Sequence, residues 1–264
     1  MKNIIVVTGA SSGMGKDFVR QIENKEKVDE IWVIARREDR LVALKEQLKT
    51  PVCPIAIDLS DMEQIKVYAK KLEEEKPNVL ILAKCSGFGK FDHYENLSLE
   101  TNLNMVNLNC KAVIAMINYT LPYMEKGAKI INFASCSAFQ PVPYINVYAS
   151  TKAFLLSYSR ALNVELKYRD ISVTAVCPFW TKTEFFDRAI VPDKKEVVIN
   201  YAALYDSEKV VERAIKDAYK KKDISVYGGK NKFQHLLVKL FPHKFVMGVW
   251  MGQQKLDGTP DIRK

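Results

Sequence analysis

Seven short apolar runs, spaced widely enough to leave room for a helix between each pair, constrain the fold of this chain most strongly. Each run is rich in isoleucine and valine and nearly continuous, which is typical of parallel strands covered on both faces. Segments between the runs carry apolar residues at helical spacing, for example Leu41, Leu44 and Leu48. The runs occupy residues 3–8, 30–35, 52–57, 78–83, 128–134, 171–177 and 223–227. We predict an α/β fold in which a seven-stranded parallel sheet carries helices on both faces in a doubly wound arrangement.

The length and the cysteine pattern favour one domain in a reducing compartment. At roughly 150 residues per domain, 264 residues make one large domain or two small ones, and no repeat or linker divides the chain, so we predict a single domain over residues 1–264. The five cysteines are scattered without a C-x-x-C pair, which disfavours a disulfide framework or a zinc site, and we predict no metal. No secretory signal is visible, and no apolar run reaches the ~18 residues of a spanning helix. We therefore expect a cytoplasmic protein with no integral membrane span.

The formal net charge of +9 follows from 40 Lys and Arg against 31 Asp and Glu. Such an excess is compatible with a nucleic acid, a membrane surface or an anionic ligand as partner. We find no recognition motif and no interleaving of aromatic and basic residues, and we interpret most of the lysines as solvated. The sequence therefore predicts no nucleic-acid partner.

Two segments depart from the simple alternation of strands and helices. Residues 181–206 form a long stretch containing Phe185, Phe186 and Pro192, which we interpret as a substrate flap. Residues 229–264 form a C-terminal helical extension with two short amphipathic pieces, 233–240 and 245–251, separated by Pro242. The pieces are expected to pack on the body or on a subunit neighbour. A hydrophobic wall or a membrane-surface contact is the alternative, and the break at Pro242 argues against a span.

A glycine-rich turn follows the first run and precedes a helix. Three glycines let the backbone approach a ligand closely, and the N–H groups of a helix N-terminus favour phosphate. The spacing is G-x-x-x-G-x-G, which differs from the commoner G-x-G-x-x-G pattern. The alternative is an ordinary tight strand-to-helix turn. We predict a dinucleotide site that includes Gly9, Ser11, Ser12, Gly13, Met14 and Gly15.

The ends of the second and third runs indicate which dinucleotide binds. An NAD site commonly has a carboxylate after the second strand, whereas this chain has Arg36 followed by Arg37. A guanidinium suits a 2′-phosphate, so we predict NADP(H) with Arg36 as the phosphate partner, unless both arginines are only surface charges. Asp58 and Leu59 are placed to meet the adenine. Asp58 could equally cap the following helix, in competition with Ser60 or Asp61.

Tyr148 and Lys152 stand four residues apart, so on a helix both side chains emerge on one face. A free tyrosine titrates near 10, and a nearby ammonium favours the phenolate, which enables the pair to exchange a proton with a substrate oxygen. Ser135 directly follows the run at 128–134, which brings its hydroxyl to the same edge of the predicted sheet. These three residues are the predicted catalytic groups.

Together these motifs resemble the short-chain dehydrogenase/reductase family over roughly the first 185 residues. The resemblance implies a Rossmann-like fold, a nicotinamide cofactor and reversible carbonyl/alcohol chemistry. It implies that Tyr148 is the general acid/base, that Lys152 lowers the pKa of Tyr148 and holds the nicotinamide ribose, and that Ser135 orients the substrate oxygen. Asn107 is implied to anchor a water in the proton relay. Asn109 is a rival, but the N-x-x-G pattern of the family, here ending in Cys110, favours Asn107.

The chain departs from the family pattern at two loops. The usual N-N-A-G becomes Lys84-Cys85-Ser86-Gly87, which retains Gly87 in the cofactor site but loses both asparagines. The usual P-G becomes Pro178-Phe179, which places Phe179 on the substrate side. Thr183 matches the family threonine that meets the nicotinamide amide.

The expected substrate pocket is apolar and aromatic, which suits a bulky hydrophobic alcohol or ketone. We expect it to be bounded by Phe139, Val142, Pro143, Phe179, Trp180 and Phe185. The C-terminal segment resembles the tails of family members that act on lipophilic substrates, so a hydroxysteroid or a bile acid is favoured over general carbonyl or 3-oxoacyl reduction. A regulatory protein that binds the dinucleotide without turnover is the alternative from another class. The family resemblance also implies a homodimer or homotetramer, for which the helix that begins near Tyr148 is a candidate interface.

Overall fold

The computed structural model describes residues 1–190 and 196–259, and in them seven parallel strands form one sheet. The strands of this sheet are β1 (Asn3–Thr8), β2 (Glu30–Ala35), β3 (Val52–Ala56), β4 (Asn78–Lys84), β5 (Lys129–Phe133), β6 (Ser172–Val176) and β9 (Ile224–Ser225). Their order across the sheet is β3-β2-β1-β4-β5-β6-β9. The seven-stranded, doubly wound α/β prediction is confirmed. The predicted run at 223–227 is wrong in length, since only Ile224 and Ser225 pair with β6.

Helices connect the strands and cover both faces of the sheet. They are α1 (Gly13–Glu23), α2 (Glu38–Lys45), α3 (Met62–Glu75), α4 (Leu99–Val106), α5 (Ala112–Thr120), α6 (Asn146–Glu165), α7 (Phe185–Ala189), α8 (Ser207–Tyr219), α9 (Gly229–Leu240) and α10 (His243–Gln254). Side chains alternate between faces along each strand, so Val6 packs beneath α3 and α5 while Val7 packs beneath α1 and α8. None of the described helices is long and apolar enough to cross a bilayer.

The segment predicted as a flap is closed at its base by two short strands that the sequence did not reveal. Strand β7 (Thr181–Lys182) pairs with β8 (Tyr205–Asp206), so both ends of the segment meet at one place. Helix α7 lies within it, and residues 191–195 lie outside the described residues. Residues 260–264 of the predicted C-terminal extension also lie outside them.

Lys84, the last residue of β4, is buried in the sheet with an exposed fraction of 1%. It lies opposite Thr8 on β1 and Asn132 on β5. Neither its Nζ nor the Oδ1 of Asn132 has a hydrogen-bond partner among the described residues. Burial lowers the pKa of Lys84 to about 7, because a charged ammonium loses its hydration there.

We expect Lys84→Met to stabilise the protein by on the order of 3 kcal/mol near pH 7.5. The native pKa lies below the unfolded one, so between pH 7 and 10.5 the unfolded chain binds the proton that native Lys84 has lost. The free energy of unfolding therefore rises with pH in that window, and the variant should show a smaller rise. Urea unfolding between pH 7 and 8.5, below the main titration of the cysteines, measures this. Lys49→Met, at an exposed position, is the control, and parallel profiles for Lys84→Met and wild type would contradict the interpretation.

Candidate active site

The glycine turn between β1 and α1 closes tightly against the end of β4. Gly9 has φ +70°, and a Cβ there would lie 2.8 Å from the backbone nitrogen of Ser86. A Cβ on Gly15 would lie 2.2 Å from the carbonyl oxygen of Gly9. Only glycine fits either position without a shift of the backbone. Ser12 caps α1 without a side-chain hydrogen bond to the helix, which leaves its first N–H groups directed at the turn.

A cavity of about 150 Å³ lies over this turn. Its lining includes every residue predicted to bind the cofactor apart from the two catalytic ones: Gly9, Ser11, Ser12, Gly13, Met14, Gly15, Arg36, Asp58, Leu59, Gly87 and Thr183. Asp61, rather than Asp58, caps α3 by accepting a hydrogen bond from the backbone of Glu63 at 2.9 Å. The carboxylate of Asp58 accepts from Ser60 and stays in the cavity wall, so the capping alternative is wrong for it.

Two arginines after β2 line this cavity in different ways. Arg36 is largely exposed, and its Nη1 lies 3.6 Å from Oδ2 of Asp58. Arg37, which the sequence interpretation passed over, donates from Nη2 to the hydroxyls of Ser11 at 3.2 Å and Ser12 at 3.1 Å. The sequence contained one indication of this role, because Arg37 directly follows Arg36.

Glu184 of the flap joins this cluster as an anion. It accepts hydrogen bonds from Arg37 at 3.1 Å and from Arg40 at 2.6 Å, and these bonds hold its pKa below the usual value. The pKa of Arg188, also in the cavity wall, is lowered by burial and by repulsion from Arg37 and Arg36. Crowded guanidinium groups of this kind favour a phosphate ligand.

Tyr148 and Ser135 line a second, larger cavity of about 420 Å³. Tyr148 lies in the first turn of α6, and Ser135 follows β5, where its Oγ accepts from the backbone nitrogen of Ser137 at 3.1 Å. The two cavities share Met14, Thr183 and Phe185, so they adjoin at the flap. The structure therefore brings the predicted catalytic hydroxyls to the end of the predicted cofactor site.

The protein environment favours the neutral form of the Tyr148 phenol. Burial raises its pKa above the ordinary value, and a hydrogen bond with Ser135 opposes this only in part. The sequence predicted that Lys152 lowers this pKa; Lys152 is not among the groups that shift the pKa of Tyr148 in this structure, and that role stays a prediction. Nζ of Lys152 lies 5.6 Å from the centroid of the Tyr148 ring and donates to the carbonyl oxygen of Phe133 at 2.8 Å. Burial also lowers the pKa of Lys152 to about 8, so its ammonium is mostly charged at pH 7 and loses its proton at mildly alkaline pH.

The structure favours Asn109 over Asn107 as the asparagine of the relay. Asn109 is buried, and its amide bonds to both backbone groups of Phe88 and to the hydroxyl of Thr151 at 3.0 Å. Its Oδ1 and Nζ of Lys152 lie 3.1 Å and 3.2 Å from the point that a Cβ on Gly87 would occupy. Asn107 begins a π-helical turn, Asn107–Lys111, and is only partly buried. Of the two asparagines that the sequence offered, the structure therefore places Asn109, and not Asn107, near Nζ of Lys152; Asn109 also precedes a small residue, Ala112, by three positions.

The departure from the family pattern at Lys84-Cys85-Ser86-Gly87 is compensated locally. The hydroxyl of Ser86 lies 2.8 Å from Oγ1 of Thr8, and the backbone nitrogen of Ser86 donates to the same oxygen at 3.2 Å. These bonds join the β4 loop to β1 without asparagines. Phe179 lines the larger cavity, as predicted, and packs edge-to-face against Trp180 and Tyr205.

The chain matches the sequence pattern of one enzyme family over most of its length. A sequence model of the family described as short chain dehydrogenase matches residues 3–192, which is more than half of the chain. The chain belongs to the short chain dehydrogenase family. The resemblance inferred from the motifs is thereby confirmed, and with it the enzyme class, an oxidoreductase.

Relatives within this family carry names of different kinds. The very-long-chain 3-oxoacyl-CoA reductase-A of Danio rerio is 32% identical over 191 residues, which cover 68% of this chain and 58% of that protein. The hydroxysteroid dehydrogenase-like protein 1 of Gallus gallus is 30% identical over 217 residues, covering 78% and 63%. This chain thus matches less than two thirds of the length of either relative. A short-chain dehydrogenase from Sphingobium yanoikuyae, solved in complex with NADPH, has the same fold, with a TM-score of 0.75 at 23% identity over 99% of this chain and 97% of that one.

In this short chain dehydrogenase, Gly89 makes room for the ring of Tyr148 and was not singled out in the sequence. A Cβ at position 89 would lie 2.6 Å from Cδ2 of the Tyr148 ring. The ring is held on its other sides by Phe91, at 6.4 Å between centroids, and by Phe185, at 5.4 Å.

Gly89→Ala is therefore expected to displace the phenol and to lower kcat by about 10- to 100-fold, because small displacements of a reacting group are costly. Affinity for NADPH, measured by fluorescence titration, should not change, since Gly89 does not line the cofactor cavity. Gly127→Ala, where no atom lies within 4 Å of the added Cβ, controls for loss of a loop glycine, although its φ of +89° adds strain. Unchanged kcat in Gly89→Ala would show that the ring does not depend on this space.

Proposed function

We propose that the protein is an NADP(H)-dependent oxidoreductase that interconverts a secondary alcohol and a ketone on a bulky hydrophobic substrate, with Tyr148 as general acid/base. One observation carries the proposal. Tyr148 and Ser135 face a large uncharged cavity that adjoins a smaller cavity built from the glycine turn and three arginines.

The smaller cavity fits the dinucleotide by its own chemistry. Gly9 and Gly15 leave the backbone open to a phosphate, and the N-terminus of α1 supplies unpaired N–H groups. Arg36 and Arg37, with the serine hydroxyls, would hold the 2′-phosphate, while Asp58 would meet the adenine. Thr183, shared by both cavities, would meet the nicotinamide amide. The bound cofactor supplies or accepts the hydride of the reaction.

The proton chemistry follows from the pKa of Tyr148. Because burial keeps the phenol protonated, Tyr148 is ready to donate a proton to a carbonyl oxygen as the carbonyl carbon gains a hydride, which yields the alcohol. Ser135 would orient the same oxygen by donating a hydrogen bond. Lys152 would hold the ribose and, with Asn109, return a proton from solvent to the phenolate.

The larger cavity favours a neutral apolar substrate. Its volume of about 420 Å³ is in the range of small-molecule sites, about 300–1,000 Å³. None of its described lining residues is charged, and Phe91, Trp180 and Phe185 form an aromatic wall. Of the bounding residues predicted from sequence, Phe139 and Pro143 do not line it: Phe139 packs on His235 and Pro143 accepts a bond from Trp250. A hydroxysteroid therefore fits better than a bile acid, whose carboxylate would lack a cation inside the cavity.

A 3-oxoacyl substrate is the second candidate, and the Danio rerio relative, named as a 3-oxoacyl-CoA reductase, favours it. Turnover of NADPH across neutral ketosteroids, bile-acid ketones and long-chain 3-oxoacyl thioesters separates the two. We expect the highest kcat/KM on a neutral ketosteroid. Tight NADPH binding without consumption on any of these classes would favour the non-catalytic alternative, a protein that only senses the dinucleotide.

A homodimer or homotetramer remains part of the proposal. Phe154 on α6 is 38% exposed and stacks on Tyr158 with 5.6 Å between ring centroids. This partly exposed aromatic pair is a candidate contact between subunits, and sedimentation of the wild type and of Phe154→Asp tests it. Cytoplasmic location likewise remains a prediction.

A further inference from the structure

The C-terminal helices α9 and α10 expose a continuous group of large apolar side chains. Phe241 and Phe245 lie 5.2 Å apart between ring centroids at the junction of the two helices. Exposed fractions range from 43% to 68% across the group, which we call the terminal patch: Phe233, Leu236, Leu240, Phe241, Phe245 and Val249. So many large apolar side chains in one place indicate an interaction surface.

The opposite sides of the same helices are tied firmly to the body. Asn231 donates to the carbonyl oxygen of Cys177 at 2.9 Å, and Trp250 donates to that of Pro143 at 3.0 Å. Gln254 accepts from the backbone nitrogens of Ile199 and Asn200 at 2.9 Å. The terminal patch therefore faces outward because its helices are anchored on their polar and buried residues.

The charged side chains of the segment that carries the patch are all of one sign. Residues 224–256 contain no aspartate or glutamate. Five exposed lysines lie in the same segment: Lys230, Lys232, Lys239, Lys244 and Lys255. Lysines that border an exposed apolar surface are typical of contacts with anionic lipid. Two copies of this chain meeting across a twofold axis would instead place these lysines opposite each other.

The patch also surrounds the entrance of the larger cavity. Phe233, Phe241, Phe245 and Val249 both line that cavity and are exposed on the surface. An apolar molecule dissolved in a bilayer could therefore enter the cavity without crossing water, provided that the patch lies on the bilayer.

We propose that the terminal patch docks on the surface of an anionic phospholipid bilayer, with its aromatic side chains in the interface and its lysines at the headgroups. This goes beyond the proposed function and does not require it, since docking is a property of the surface. It gives the chain a peripheral attachment without a spanning segment.

The test is flotation of the full chain with vesicles of phosphatidylcholine containing about 30% phosphatidylserine, compared with phosphatidylcholine alone. Wild type should float with the anionic vesicles at about 0.15 M salt and far less with the neutral ones. Leu236→Asp/Leu240→Asp, two exposed patch residues that do not line the cavity, should lower the partition coefficient by roughly tenfold or more. Activity on a water-soluble ketone should not change.

Matched controls exclude general effects of charge. Val67 and Leu99 are 55% and 71% exposed, close to the 54% of Leu236 and 68% of Leu240, so Val67→Asp/Leu99→Asp should bind vesicles like wild type. Lys239→Gln/Lys244→Gln should lose about fivefold for each lysine, whereas Lys27→Gln/Lys49→Gln should bind like wild type. Wild type that fails to bind anionic vesicles, or equal losses in patch and control variants, would overturn the proposal. It would also be overturned if the patch variant changed only the oligomeric state in sedimentation, which would identify a subunit interface.

Discussion

Tyr148→Phe is expected to reduce kcat by at least about 10³-fold, within the 10²–10⁴-fold range of general acid catalysis and near its upper end. The variant keeps the ring that packs against Phe91 and Phe185 and loses only the hydroxyl that bonds with Ser135. Without a donor, the developing alkoxide has no proton within the uncharged cavity. Single-turnover oxidation of NADPH with a ketone substrate measures the loss.

Binding of NADPH to Tyr148→Phe should remain close to wild type, because the phenol lines the larger cavity and not the smaller one. Tyr158→Phe, on the same helix, is the matched control and should keep full activity. A Tyr148→Phe enzyme as fast as wild type would refute the proposed mechanism, whereas loss of NADPH binding together with activity would point to misfolding.

Arg36→Ala/Arg37→Ala is expected to lower kcat/KM for NADPH by about 100-fold or more, because charge-assisted hydrogen bonds to a phosphate contribute about 1.5–3 kcal/mol each. The kcat/KM for NADH should hardly change, since NADH has no 2′-phosphate. The variants Arg36→Ala and Arg37→Ala, measured separately, show how much each arginine contributes to kcat/KM for NADPH. Arg37 is held by Ser11 and Ser12, so we expect Arg37→Ala to lose at least as much as Arg36→Ala.

Glu184→Gln is expected to change the affinity for NADPH in the opposite direction. The carboxylate of Glu184 occupies Arg37 and Arg40, and its removal frees both guanidinium groups for a phosphate. We expect a lower Kd for NADPH in this variant and no change for NADH.

The control for the arginine variants is Arg20→Ala, which also removes a positive charge. Arg20 lies at the far end of α1 and bonds to Gln47. If cofactor preference is unchanged in the double arginine variant, the smaller cavity does not bind a 2′-phosphate.

The sheet was predictable because its strands are recognised from residues that are neighbours along the chain. Continuous runs of isoleucine and valine give buried parallel strands, and helical spacing fills the intervals, so the order of the elements follows from the chain itself. The short pair β7 and β8 was not predictable, since each strand has two residues and pairs only because the flap returns to its own base. Strand β9 has only two residues for a related reason. It is an edge strand, and it pairs only where its neighbour β6 offers a partner.

Several properties of the site depend on burial and proximity, which the sequence does not carry. Spacing indicated that Lys152 lies beside Tyr148, but not that its ammonium bonds to Phe133 while burial raises the pKa of the phenol. The choice between Asn107 and Asn109 was decided by which side chain turns inward at a π-helical turn. Gly89 gained its role only from the ring that packs on it.

The sequence by itself determined the α/β architecture, the phosphate turn, the order of the catalytic groups and the family, because each depends on residue type and spacing along the chain. Only the tertiary structure decided the protonation of Tyr148, the part played by Arg37 and Glu184, and the placement of the exposed apolar residues of α9 and α10 around the cavity entrance. The physical reason is that desolvation, charge pairing and exposure are set by neighbours in space, and these neighbours come from segments as far apart as residues 37 and 184.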